Sequence, residues 1–482
     1  MSILAAVLSA MTVLSCSKTG TDPVVPDTDE ARTLHYVNSF LANTMKTFYL
    51  WTDEVSSGIA SWKDDDDPEK KVLSVRYKDA SGRDIDRWTR ATSDYQAMVD
   101  AIDGNGKTYG FHFTLYRRSI SDSSVMAVVT VVYPGSPAAE AGLKRGDAIM
   151  SVNGRLITME NYQTIATREL AGSDSCRMVL SDGKTLVLNA KAMYEDPVLI
   201  SKVFDIGSKR VGYLLFNSFT LDSCQKLIDI CTDFKALGVS ELVLDLRYNG
   251  GGYVFTEEVL ASMLAPLDVV ISGCVFEREI YNATLSKFWQ EDAITCFKQT
   301  FQYTSGSKEI LLSTVKANIG LDKIYAITTG STASASESIL TGLKPYMPIE
   351  TVGEQSYGKY CTGIIYKGTG WYDDNKNELS LTDYTNGKRY VGNWAIYIMV
   401  GRYADKDGNT PCMPDGFIPD VVAHDTPYDG IPLGDEKETM LRKALERAGK
   451  VYSPTAAPRM QSITSMEALQ LPVSGYRIKD LP

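Results

Sequence analysis

The run Glu241-Leu242-Val243-Leu244-Asp245-Leu246 is almost wholly apolar, shows no alternation, and leads through Arg247-Tyr248-Asn249 into three consecutive glycines. A strand without alternation is buried on both faces, and such strands belong to largely parallel sheets covered by helices. Further runs of this kind fall at 211–216, 323–328 and 394–400, separated by helical stripes at 221–237, from about 334 to 343, and at 435–448. Strands alternating with helices predict a mixed α/β domain over 194–452. Residues 280–318 read as an insertion with no assigned place, and 453–482 are polar and irregular and carry no prediction.

A chain of 482 residues exceeds what one core can organise, so two or three domains are expected. Leu34, Val37, Leu41, Met45 and Phe48 recur at spacings of three and four, the stripe of an amphipathic helix. A second helix is expected over 93–102, so 31–103 reads as a small helical domain. The four consecutive aspartates at 64–67 lack the Asp-Gly spacing of a calcium loop and read as solvated surface.

The net charge of −11 disfavours nucleic acid or an anionic membrane face as a partner. The three histidines, His35, His112 and His424, stand far apart with no HExxH or CxxC near them, so no metal site is expected. Residues 3–14 form a short apolar run ending at Val13-Leu14-Ser15-Cys16. That run suits the core of a secretion signal, and its end resembles a bacterial lipobox that would lipidate Cys16. No Lys or Arg precedes it, a departure from that pattern. Residues 1–16 are thus expected to be a lipoprotein signal peptide and 17–30 a polar tether. The seven cysteines after Cys16 are an odd, scattered set and do not read as a disulfide framework.

From 104 to 193 short strands alternate with turns. Strand 125–133 is followed by Pro134-Gly135-Ser136-Pro137-Ala138-Ala139-Glu140-Ala141-Gly142-Leu143-Lys144-Arg145-Gly146-Asp147, a strand at 148–152 and the turn Asn153-Gly154. Asn-Gly suits a turn with two positive φ angles. This stretch resembles a PDZ domain. The resemblance places a carboxylate-binding loop at Tyr109-Gly110-Phe111, where glycine exposes backbone N–H groups and the next strand accepts a peptide as an added strand.

Three further segments carry chemistry. They are Asp245 to Gly252 with its glycine run, Gly330-Ser331-Thr332-Ala333-Ser334-Ala335-Ser336-Glu337 between a strand and a helix, and Gly353-Glu354-Gln355-Ser356-Tyr357-Gly358-Lys359 after another strand. Singly, each has an ordinary explanation: a flexible loop, an N-cap, a surface turn. In this order, each after a predicted strand and behind a PDZ-like region, they resemble the carboxyl-terminal processing peptidases, or tail-specific proteases. The resemblance covers about 104–450, including Gly416-Phe417-Ile418-Pro419-Asp420. It implies a serine-lysine dyad with Ser334 as nucleophile and Lys359, 25 residues later, as general base. It also implies a core of crotonase/Clp-like ββα layers and needs no cofactor.

The chemistry can be argued from the residues as well. A serine hydroxyl needs a base within reach, and a lysine serves only when neutral, which burial promotes. The first amides of a helix lack intrahelical partners, so Ala335 N–H can meet a developing oxyanion. By resemblance Gly251 supplies the second donor. Glu337 is expected to orient its neighbours, Ser356 to hydrogen-bond the lysine, and Asp245 and Arg247 to brace the glycine loop. Some relatives hold the lysine with a glutamine four residues on; here that place is Gly363, so the lysine must be held otherwise.

The expected protein is a serine endopeptidase of the bacterial cell envelope, lipid-anchored and facing an extracytoplasmic space. It would take protein or peptide substrates by their free C-terminus; any homo-oligomer or regulatory partner is left open. The main rival is a non-catalytic envelope protein that binds peptide tails. Esterase activity, or a PDZ domain that only gates a site for short peptides, are two further alternatives.

Overall fold

A computed structural model describes residues 28–117, 123–171, 173–305, 308–452, 467–469 and 476–479. The signal segment, the lipidation site read at Cys16 and positions 17–27 of the tether expected over 17–30 lie outside the described residues; its last residues are not tether, since Thr28 caps a helix that starts at Asp29. Among the described residues no helix is long and apolar enough to cross a membrane.

The first helix, Asp29–Phe48, starts at Thr28, whose Oγ1 accepts the Ala31 amide at 3.2 Å, and carries Asp29 and Glu30 where the helix dipole favours acids. Its buried face (Val37, Phe40, Leu41, Met45, Phe48) does not pack within a helical domain of its own. It joins the core that also holds Ile396, Tyr397 and Ile398, with Phe40 and Phe48 against the Tyr366 ring. The short strand Arg90–Thr92 pairs with Ala395–Ala404, and the second helix runs Tyr95–Ile102 from an Asp94 cap. The helices expected over 31–103 are therefore present, but as a layer of the larger domain: the two apolar stripes offer too little surface to bury each other.

Residues 104–193 hold a separate core. Strands Phe111–Arg117, Val125–Val132, Ala148–Val152, Ser175–Leu180 and Thr185–Asn189 pair antiparallel in that order. Asn153 and Gly154 have φ of 50° and 80°, as their turn requires.

The remaining domain contains two sheets. One runs Val198–Ile206, Lys209–Phe216, Glu241–Asp245, Lys323–Thr328, Ile349–Gly353, Val421–Val422; its first pair is antiparallel and every later pair is parallel. The other runs Gly251–Tyr253, Tyr476–Ile478, Cys361–Lys367, Ala395–Ala404, Val275–Tyr281, Ile294–Cys296. Helices Cys224–Ala236, Val254–Leu264 and Ala335–Leu343 bury residues in the core shared with the second sheet, while Thr439–Arg447 covers the opposite face of the first. The insertion at 280–318 contributes the hairpin Phe301–Ser305 with Lys308–Leu312. Three neighbouring parallel strands end at Asp245, Thr328 and Gly353, so the glycine, serine and lysine segments all leave the same carboxyl edge. That edge is where open α/β sheets place their sites.

Candidate active site

The chain leaves strand Lys323–Thr328 in a tight turn. Thr332 Oγ1 accepts the Thr329 amide at 2.9 Å and donates to Leu246 O at 2.8 Å; Ala333 N–H reaches Asn249 O at 3.0 Å. The serine turn is thus sewn to the glycine segment before the helix Ala335–Leu343 begins. Ser334 sits at that junction with φ 66° and ψ −119°. Among the described residues only Asn153 and Ser334 combine a side chain beyond glycine with positive φ. Such a conformation costs on the order of 1–3 kcal/mol and persists only where the surroundings impose it. Here Ser334 N–H donates to Glu337 Oε2 at 3.0 Å, and Ser334 O accepts Glu337 and Ser338 amides, each at 2.8 Å. The Ser334 hydroxyl is buried and has no hydrogen-bond partner among the described residues. Ser334 holds the N-cap position, but the cap is closed by the Glu337 carboxylate on the Ser334 N–H and not by the serine hydroxyl.

Glu337, read as an orienting residue, is fully buried and accepts four hydrogen bonds. Oε1 takes Ser356 Oγ at 2.5 Å and Gly358 N at 2.7 Å; Oε2 takes Lys359 N at 2.8 Å and Ser334 N at 3.0 Å. One carboxylate oxygen therefore ties together the backbones of Ser334 and Lys359. Burial pushes this carboxyl above its ordinary range, and the four donors oppose that push. Ser356, expected on the lysine, instead serves Glu337 and accepts Phe417 N at 2.7 Å. The carboxylate takes the Ser356 hydroxyl together with two amides of the same loop, while the Lys359 amine reaches Tyr397. The positive φ of Gly358 (83°) lets the loop pass Pro414, whose carbonyl would stand 2.6 Å from a Cβ there.

Lys359 is fully buried. Its Nζ donates to Tyr397 Oη at 2.8 Å and lies 5.7 Å from the Trp88 ring centre. Lys359 O accepts Tyr403 Oη at 2.8 Å, and the same hydroxyl lies 3.4 Å from Ser334 O, a second bridge between the two segments. The missing glutamine at 363 now has a physical reason. A Cβ on Gly363 would fall 2.5 Å from Tyr397 Cε2 and 2.5 Å from Met399 Cε. The tyrosine fills the space a side chain at 363 would need and holds the amine itself. Sequence reasoning missed Tyr397, Tyr403 and Asn249; the glycine at 363 was the one signal, and it marked an absence without naming the replacement.

The glycine segment is braced as expected. Arg247 is fully buried, with Nε at 3.0 Å and Nη2 at 2.7 Å from the Asp245 carboxylate, and Nη1 and Nη2 at 2.7 and 2.9 Å from Glu438. Gly251 and Gly252 have φ of 108° and 146°, and a Cβ on Gly252 would meet Phe219 O at 2.4 Å. The Gly251 amide, expected as an oxyanion donor, already donates to Asn249 Oδ1 at 2.9 Å. The asparagine folds back on its own loop, as this side chain does in turns. Ala335 occupies the first position of its helix, where an amide has no intrahelical acceptor.

In the second domain, Gly110 has φ 74°, and a Cβ there would strike Ser136 Cβ at 2.2 Å, so only glycine fits. Its amide donates to Thr108 Oγ1 at 3.0 Å, and Tyr109 Oη pairs with Ser173 Oγ at 2.8 Å; the glycine is there to pack, and its own N–H is taken. Phe111 opens the edge strand. Arg145, in the loop before strand Ala148–Val152, reaches the other domain. It donates to Tyr248 Oη at 2.6 Å and pairs with Asp425 at 2.7 Å, beside the glycine loop. His112 and His424 face Glu195 and Glu354, at 3.3 and 3.1 Å.

The profile of peptidase family S41 matches residues 210–423, which contain all three segments, and a PDZ-domain profile matches 128–171. The chain is 23% identical over 257 residues to the carboxy-terminal processing protease CtpA of Bacillus subtilis, covering 52% of this chain and 48% of that protein. It is 22% identical over 331 residues to the carboxyl-terminal-processing protease of Picosynechococcus, covering 66% of each. The chain thus spans between about half and two thirds of these relatives' lengths. A crystal structure described as an S41 protease from Bacteroides fragilis superposes with a TM-score of 0.60 at 23% identity, covering 89% of this chain and 99% of that one. The two profiles thus give the chain a peptidase family S41 region over 210–423 and a PDZ domain over 128–171, in a protein similar to the carboxyl-terminal processing peptidases.

Proposed function

We propose that the chain is a serine endopeptidase in which Ser334 is the nucleophile and Lys359 the general base. One observation carries this reading: Glu337 Oε2 binds the amides of both residues, at 3.0 and 2.8 Å, while the Ser334 hydroxyl is left without a partner. A buried hydroxyl with no hydrogen bond costs stability, and so does positive φ at a serine. Both costs fall on one residue at a helix N-terminus, which supports chemistry there.

Full burial penalises the ammonium form of a lysine. A neutral amine that donates one N–H to Tyr397 Oη keeps its lone pair for the serine proton. Apo contacts of this kind often close only when substrate is bound. In the proposed sequence Ser334 Oγ attacks the scissile carbonyl and its proton passes to Lys359 Nζ. The Ala335 amide and the helix N-terminus stabilise the oxyanion. Lys359 then protonates the departing amine, leaving an acyl-enzyme. Water, deprotonated by the same lysine, releases the product and restores Ser334. A second oxyanion donor from the glycine run requires Asn249 to release the Gly251 amide as substrate enters.

The PDZ domain would present a substrate's free C-terminus through the Tyr109-Gly110-Phe111 loop and its edge strand, which requires Thr108 to release the Gly110 amide as the carboxylate enters. Lipid anchoring through Cys16 and an extracytoplasmic site of action are part of the same proposal and rest on the N-terminal sequence alone. The test is cleavage of a panel of peptides differing only at the C-terminus. Lys359→Ala should abolish cleavage without loss of fold. Equal cleavage by wild type and variant would end the dyad assignment, and tail binding without any cleavage would leave the non-catalytic binder.

A further inference from the structure

Two short strands of the C-terminal segment join sheets of the two domains, one on the edge of the PDZ sheet and the other between the glycine strand and the strand that follows Lys359. Glu467–Leu469 pairs antiparallel with Phe111–Arg117, in the register Glu467 with Arg117, Ala468 with Tyr116 and Leu469 with Leu115. The opposite side of Phe111–Arg117 is occupied by Val125–Val132, so the segment adds to a sheet edge. It runs from Arg117 toward Phe111, toward the glycine loop, which is the sense a peptide led by its C-terminus would take. Peptides added this way are held mainly by backbone hydrogen bonds, so the edge accepts many sequences.

Tyr476–Ile478 runs parallel to the glycine strand Gly251–Tyr253, with Gly251 opposite Tyr476, and its Ile478 stands opposite Gly363 on Cys361–Lys367. The segment thus separates the strand that carries the glycine run from the strand that follows Lys359. It is anchored by Ile478, which is buried, by Lys479 N–H to Gly363 O at 3.1 Å, and by Lys479 Nζ to Tyr281 Oη at 2.9 Å and Asp292 O at 2.7 Å. The ladder at 467–469 is three residues long, within reach of displacement by a longer strand.

We propose that 467–469 and 476–479 act as a resident peptide: the chain's own C-terminal segment fills the PDZ edge and the slot beside the glycine strand, and an extended substrate peptide binds by displacing it. This inference rests on the peptidase reading above, but its test does not depend on cleavage. A covalent tether gives the segment a high local concentration, so it competes well against free peptide despite its short ladders.

The experiment compares the full chain, an Ala468→Pro variant and a chain ending at Tyr452, all carrying Ser334→Ala. Binding of a fluorescent extended peptide is read by anisotropy, and backbone hydrogen exchange is read over 111–117 and 251–253. Proline at 468 blocks pairing at the PDZ edge and leaves the peptidase sheet untouched, so this variant keeps the proposal testable if the shortened chain does not fold. Expected are peptide binding at least roughly tenfold tighter in both variants and faster exchange over 111–117. A synthetic peptide of residues 465–482 added to the shortened chain should restore the original behaviour. Unchanged binding and exchange in Ala468→Pro would overturn the proposal. So would a folded shortened chain whose peptide binding is no tighter. If binding tightens but the Ser334-containing protein cleaves nothing, the resident-peptide inference stands and the peptidase reading falls.

Discussion

Two buried polar centres lie side by side at the carboxyl edge of the parallel sheet, and they are built on opposite terms. Around Arg247 every charge is answered: the guanidinium pairs with the carboxylates of Asp245 and Glu438, each at 2.7 Å, and Tyr213 Oη donates to Asp245 at 2.9 Å. Around Ser334 the backbone is fully bonded while the hydroxyl is not, and φ is positive at a residue with a side chain. Buried charges that are paired and hydrogen-bonded stay where they are, and removing one partner strands the others. A buried hydroxyl without a partner costs stability, and at Ser334 that cost adds to a strained backbone. The difference separates a scaffold from a candidate site, although both are equally buried.

The contrast can be broken most forcefully from the site side. Lys359→Ala should lower kcat/KM on a cleaved peptide by roughly 10⁴-fold, with a urea midpoint close to wild type. A large stability loss with a small activity loss would reverse the roles assigned to the two centres. From the scaffold side, Arg247→Ala leaves two carboxylates buried without a cation and should cost about 3–5 kcal/mol in denaturant unfolding. Activity should fall only in step with the folded fraction.

Tyr397→Phe sharpens the comparison. It removes the acceptor of Lys359 Nζ but not the ring that packs against Gly363. The expected result is a kcat lower by roughly 10- to 100-fold with KM little changed and a displaced pH profile. A purely structural tyrosine would instead lower stability and leave the profile alone. Ser334→Gly should raise stability by about 1 kcal/mol by relieving the positive φ, while abolishing cleavage.

The smallest expected effect is on pH dependence. Burial pushes the Glu438 carboxyl up, but the charge and hydrogen bonds of Arg247 outweigh it and hold it below its ordinary value of 4.5. The folded state therefore binds this proton less readily than the unfolded state. The stability Glu438 contributes is complete above pH 4.5 and is lost as pH falls through the lower folded value. Glu438→Gln should flatten the acid limb of a stability–pH curve; an equally steep limb would remove Glu438 from the account.

Much of the fold was legible because its signals are local. The strand at 323–328, the Asn153-Gly154 turn and the helix that follows Ser334 each depend on apolar runs or turn residues within a few positions. The N-terminal helices were legible as helices but not as part of the larger core, because a stripe shows that a face is buried and not against what. At the site, the order of the glycine, serine and lysine segments could be read along the chain. Which donor each acceptor would take could not: Ser356 turned to Glu337, and the Gly251 amide to Asn249. Residues 467–469 and 476–479 were passed over because a three-residue strand has too short a pattern to register.

By itself, then, the sequence determined the α/β class and the PDZ domain and brought out Ser334 and Lys359 as candidates, since these follow from residue types in short local patterns. Only the tertiary structure decided what joins them: one carboxylate oxygen of Glu337 between two amides, a tyrosine in the space left by Gly363, and a C-terminal strand between the glycine and lysine strands. Contacts between residues tens or hundreds of positions apart are set by how sheets and helices stack, and no local pattern records that stacking.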